Sequence, residues 1–166
     1  MSLDTASGGA PLIEVRDVAK IFETKGGPVE ALSSVSLNIQ KGEFVSFLGP
    51  SGCGKTTLMT LIAGLAQPTK GQVSIADKVV DQPFTNLGIV FQNAELLDWR
   101  TALQNIMLQM EVRGLRSRDY IDRARELLGQ VGLEGFEGKY PDELSGGMKQ
   151  RVALCRALIH DPEILL

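Results

Sequence analysis

Residues 49–57 read GPSGCGKTT and lie between a continuous apolar run, FVSFL, and a helix-like stretch that opens at Lys55. Gly49, Gly54, Lys55 and Thr56 satisfy G-x-x-x-x-G-K-[ST], the P-loop pattern. No other feature restricts the fold as much, because this loop is expected between the end of a buried strand and the start of a helix. Its glycines allow a tight turn whose N–H groups converge on an anion, and the helix start adds the positive end of the macrodipole. The spacing predicts a buried central strand over 43–48, a phosphate-cradling loop over 49–54 and a helix over 55–65, ended by Gln67-Pro68. In that cradle Lys55 sets a positive charge against the γ-phosphate, and Thr57 donates to the phosphates from the first helical turn. The Thr56 hydroxyl is a candidate ligand for Mg²⁺, whose octahedral shell suits hydroxyl, phosphate and water. Pro50, Ser51, Gly52 and Cys53 complete the loop. Cys53 reads as a small loop residue rather than a redox centre.

Hydrophobic spacing organises the rest. Leu12, Ile13, Val15 and Val18, and then Val35, Leu37 and Ile39, alternate with polar residues and predict antiparallel-type strands with one wet face. Short strands are expected at 72–75 and 79–80, and a second buried strand at 87–91. Thr101 reads as the N-cap of a helix over 101–112, with Gly114 just beyond its end. A further helix over 117–131 carries Ile121, Ala124, Leu128 and Val131 on one face and stops at Gly132. The last, over 147–160, carries Met148, Val152, Cys155 and Ile159, and Asp161-Pro162 ends it before an apolar strand over 163–166. Strands, then helices, then a strand predict an α/β core with a helical insertion.

Composition excludes several classes. The formal net charge is −3, without the basic footprint of a nucleic-acid binder. The best apolar run, residues 58–66, is far short of a bilayer span. The first eleven residues lack the basic and apolar regions of a secretory signal and read as a disordered lead-in. Two cysteines make no disulfide framework, so a cytoplasmic location is expected.

A second glycine motif lies at 144–151, LSGGMKQR. Taken singly, Ser145 is an ordinary helix N-cap. With Gly146 and Gly147 behind it, the segment also reads as a second anion cradle, since small residues let a ligand approach the backbone. A P-loop alone leaves kinases, GTPases, helicases and transport ATPases open.

The ordered pair, with RVALCRALIHDPEILL following, resembles the signature of ABC-type ATPases, and residues 12–166 match that family in order and spacing. The resemblance implies a P-loop NTPase core with N-terminal antiparallel strands, a helical subdomain, and ATP and Mg²⁺ as cofactors. Its parts would be residues 12–92, the antiparallel strands and P-loop core up to the Q-loop; 93–145, the helical subdomain with the signature; and 146–166, the signature helix and the start of the next strand. Phe22 stands where the family stacks an aromatic on adenine, although a core aromatic at a strand end is an equal reading. Gln92 stands at the Q-loop glutamine that contacts Mg²⁺ and the attacking water. Ser145, Gly146 and Gly147 stand at the signature, which caps the γ-phosphate held by a second ATPase subunit in a head-to-tail dimer.

Residues 96–114 look like the ATPases of nitrate, sulfonate and taurine importers, with Asp98 in place of a common Pro and Cys155 in place of a common Ala. That implies contacts between residues 92–112 and membrane permease subunits, with Trp99 and Arg100 as candidates. The alternative for Trp99 is packing within the helical subdomain. The protein would then sit peripherally on the inner face of the cell membrane. The family continues into an Asp-Glu-Pro segment just beyond Leu166 and later a switch histidine, so residues 1–166 alone are expected to lack those groups and hydrolyse ATP very slowly. A catalytically inactive nucleotide-binding remnant is the alternative. His160 reads as a helix-end residue favoured by the dipole.

Overall fold

The computed structural model describes residues 2–3 and 10–166. Most of the expected lead-in therefore lies outside the described residues. Two compact units divide the chain, Met1–Thr85 and Asn86–Leu166.

The first unit is built on a long hairpin, β2 (Ile13–Thr24) and β3 (Gly27–Ile39). The sheet order is β1-β3-β2-β4-β5, with β1 at Ser2–Leu3, β4 at Lys70–Ile75 and β5 at Lys78–Val79. All pairings are antiparallel except β1 with β3. Ile13, Val15 and Val18 are buried, and the three-residue step from Val15 to Val18 breaks a strict alternation. A bulge absorbs it: the register shifts between those residues, and Asp17 sits at φ 48°. Ser36 Oγ accepts from the Asp17 N–H at 2.9 Å and donates to Asp17 Oδ1 at 3.1 Å. Gly71 lies opposite, where a Cβ would fall 2.3 Å from both the Arg16 and Asp17 carbonyl oxygens. A glycine is required there because backbone occupies the space a side chain needs.

Helix α1 (Lys55–Ile62) packs against β2, β3 and β4 through Leu58, Leu61 and Ile62. It ends three residues earlier than the apolar spacing suggests, where Gly64 turns to φ 72°. The expected central strand over 43–48 does not form. Phe44 is 95% and Leu48 91% exposed. A buried strand needs hydrogen-bonded neighbours and covered faces, and among the described residues of this unit no strand pairs with residues 43–48. Apolar content alone had suggested the strand; pairing would have had to make it.

In the second unit a short parallel pair, β6 (Leu87–Gly88) with β7 (Ile164–Leu165), accompanies three helices. The expected strand over 87–91 shortens to two residues, although the ladder runs on: Leu166 N–H donates to the Gly88 carbonyl at 2.9 Å and Val90 N–H to the Leu166 carbonyl at 2.8 Å. Helix α2 (Ala102–Val112) starts at Thr101, whose hydroxyl accepts from Gln104 N–H while the Gln104 side chain accepts from Thr101 N–H. That reciprocal box satisfies two otherwise orphaned donors. A 3-10 turn, Ser117–Tyr120, precedes α3 (Ile121–Gln130), and Pro141–Glu143 precedes α4 (Gly146–Leu158). Ile106 and Met110 of α2, Ala124 and Leu128 of α3, and Val152, Cys155 and Ile159 at α4 form one core. The predicted helix faces are the buried ones. Among the described residues no helix is long and apolar enough to cross a membrane.

Candidate nucleotide site and signature helix

Gly54 is the N-cap of α1 at φ 92°, in the left-handed region, and Gly52 takes φ 82°. Only glycine holds such angles without penalty. Gly49 has a different constraint: a Cβ there would lie 2.7 Å from Cys53 Sγ. The Cys53 N–H closes the loop onto the Pro50 carbonyl at 3.4 Å. Lys55 curls back over it. Its Nζ donates to the Gly49 and Pro50 carbonyls, each at 2.7 Å, and approaches Cys53 Sγ at 3.5 Å. These acceptors are uncharged, so they hold the ammonium without neutralising it.

This set fits a nucleotide phosphate: a backbone cradle that side chains would fill, a retained cation and a helix start. Thr56 is exposed on the first turn of α1. One hydroxyl is an apt partner for Mg²⁺, which keeps most of its shell as phosphate and water oxygens. Among the described residues no group of three or more His, Cys, Asp or Glu could hold an ion.

Phe22 also belongs to the first unit. It pairs with Val29 across the hairpin and is 41% exposed, so its ring is not a core aromatic. Lys20 Nζ lies 5.0 Å from the ring centroid and donates to the Gln67 carbonyl at 2.7 Å. One cation therefore caps the ring, an arrangement that favours a fixed orientation.

The second unit holds the other candidates. Ser145 is the N-cap of α4, and its hydroxyl accepts from the Met148 N–H at 3.3 Å. Ser145, Gly146 and Gly147 are exposed, and a Cβ at either glycine would meet nothing within 4 Å. The glycines therefore answer no internal packing demand; they keep the helix start open. Gln92 is exposed too, and its carbonyl accepts a hydrogen bond from the Gln150 side chain. The structure thus links Gln92 to the signature helix. Trp99 is 73% exposed, so it does not pack the helical core. Arg100 pairs with Glu111 at 2.7 Å.

His160 departs from its expected reading. Burial, followed by the charge of Arg113, pushes its imidazole below the ordinary range, against the smaller opposing effects of the Leu87 backbone and the Asp161 carboxylate charge. Desolvation thus outweighs any gain from the end of α4. Burial also pushes the Cys155 thiol up to about 11. Sequence reasoning assigned no role to Gln150, Arg156 or Asn105. Asn105 offered a signal, as an amide on the apolar face of α2, where it is fully buried.

A family model described as "ABC transporter" matches residues 32–166. An uncharacterized ABC transporter ATP-binding protein of Methanocaldococcus jannaschii is 47% identical over 154 residues, covering 93% of this chain and 58% of that protein. A taurine import ATP-binding protein of Jannaschia is 43% identical over 155 residues, with the same coverage, 93% and 58%. A nitrate import ATP-binding protein of Synechocystis is 42% identical over 154 residues, again covering 93% and 58%. The chain thus spans 58% of the length of these curated relatives. Among solved structures, the dimer of an ATP-binding cassette in a post-hydrolysis state bound to ADP and Pi superposes with a TM-score of 0.84. It is 36% identical, and the match covers 92% of this chain and 72% of that one.

Proposed function

The chain belongs to the ABC transporter family, and from that membership we propose that it is the ATP-binding subunit of an importer. The observation that carries the reading is the Lys55 ammonium held over the Gly49 and Pro50 carbonyls at 2.7 Å, in a loop with two left-handed glycines. Residues 49–57 would take the nucleotide phosphates, and Thr56 would offer its hydroxyl to Mg²⁺. Phe22 would stack on the adenine, which its exposed ring supports. The ion neutralises phosphate charge when bound.

Ser145, Gly146 and Gly147 would cap the γ-phosphate of a nucleotide held by a second subunit in a head-to-tail dimer. The open first turn of α4 supports this, because it leaves N–H groups and the dipole available to an anion. Gln92 would contact Mg²⁺ and orient the attacking water. Trp99 and Arg100 would meet a permease on the cytoplasmic face of the membrane, and an exposed amphipathic indole suits such an interface. The transported solute would be a small anion or organic solute. Relatives named for taurine and nitrate are 43% and 42% identical, so overall similarity does not choose between them.

Ser145→Arg tests the reading. It fills the helix start and should leave ATP binding by the Lys55 loop within twofold while blocking closure of the ATP-dependent dimer, read by sedimentation, in the full-length protein. Loss of ATP binding in equal measure would show that the signature serves its own chain's nucleotide. ATP binding by the wild type with no phosphate release would identify a nucleotide-binding module without turnover.

A further inference from the structure

Three main-chain oxygens of one loop in the second unit accept hydrogen bonds from side chains of α4. Gln150 Nε2 donates to the Gln92 carbonyl. Arg156 donates from Nη2 to the Ala94 carbonyl and from Nη1 to the Glu95 carbonyl, each at 2.7 Å. The loop is strained where the guanidinium grips it: Glu95 takes φ 47°. A left-handed non-glycine residue is disfavoured and persists only where its surroundings over-determine it. The next stretch is held from α2. Buried Asn105 accepts from the Leu97 N–H at 2.8 Å and donates to the Arg100 and Thr101 carbonyls at 2.9 and 3.0 Å.

We propose that Gln150 and Arg156 are positioning residues that lock the loop carrying Gln92 to the helix whose first turn carries Ser145, Gly146 and Gly147, so that the two move as one body. Its bearing on catalysis rests on the roles given above to Gln92 and Ser145. The contacts use only main-chain oxygens, so they fix where Gln92 stands without occupying its side-chain amide. Gln150 lies about one turn into α4, so a displacement of the helix start reaches the loop directly. Arginine suits the second contact because its planar fork spans two acceptors, whereas a lysine ammonium acts as a point charge.

Backbone ¹⁵N order parameters in the 166-residue chain test the lock. In the wild type, residues 93–96 should be as rigid as α4, near 0.85. In Arg156→Ala and in the gentler Arg156→Lys they should fall below about 0.6, with α2, α3 and α4 unchanged. An unchanged loop in Arg156→Ala would overturn the proposal. So would wild-type rigidity in Arg156→Lys, or mobility spread evenly over residues 102–158, the mark of a general stabiliser. In steady-state hydrolysis Arg156→Ala should lower kcat at least tenfold with KM for ATP within twofold. A KM effect alone would overturn the coupling. Residues 1–166 alone are expected to hydrolyse ATP very slowly, so wild-type silence in that assay tests neither Gln92 nor the lock, and the order parameters decide the lock.

Discussion

Gly54 and Leu32 touch so closely that a single added carbon does not fit: a Cβ on Gly54 would lie 2.5 Å from Leu32 Cδ2 and 2.6 Å from the Ala31 carbonyl oxygen. The phosphate loop is therefore braced from beneath by β3. Gly54→Ala should destabilise the protein by about 2–4 kcal/mol, combining left-handed strain with overpacking. Urea denaturation measures this. Gly146→Ala is the contrast, with open space around it, and should change stability by less than about 1 kcal/mol.

The two thiols should separate cleanly. Cys53 is exposed, while Cys155 is buried in the helical core with its thiol pushed up to about 11. Only the thiolate reacts. At pH 8 a thiol reagent should modify one cysteine quickly in the native protein and both in denaturant. MgATP should slow the fast reaction, since Cys53 lies in the loop beside Lys55.

Stability should depend on His160 in the mildly acidic range. Its folded pKa is depressed, chiefly by burial and then by Arg113. Between that depressed value and the ordinary one near 6.5, the unfolded chain binds more protons, so stability rises with pH. The contribution is complete above about 6.5 and drains away as pH falls below it. Denaturation midpoints measured from pH 8 to pH 5 should fall in the wild type and fall less in His160→Gln. Equal slopes would assign the effect to other groups.

The helices were readable because each face repeats its apolar residues and each end carries its own signal. Thr101 with Gln104, Gly114 and Gly132 all act locally, over three or four residues. The hairpin was less legible. Phe22, Glu23 and Thr24, and Pro28, Val29 and Glu30 across from them, show no alternation, because that end of the ribbon is exposed on both faces. Asp17 makes the remainder hard to read, since its bulge displaces the period between Val15 and Val18. Residues 43–48 misled because an apolar run reports affinity for a sheet, and pairing is a property of other strands. In the candidate site, motif spacing picked out the cradle from Gly49 to Thr57 and the helix start at Ser145. The ties from Gln150 and Arg156 escaped because they end on carbonyls some sixty residues away, and main-chain oxygens carry no sequence identity.

If the Lys55 loop holds the nucleotide, calorimetric titration of MgATP should separate the wild type from Lys55→Ala. Charge-assisted hydrogen bonds contribute about 1.5–3 kcal/mol, so the variant should bind about 10- to 100-fold more weakly while keeping its helical circular dichroism. Equal affinity in the two proteins would mean that the Lys55 loop does not hold the nucleotide.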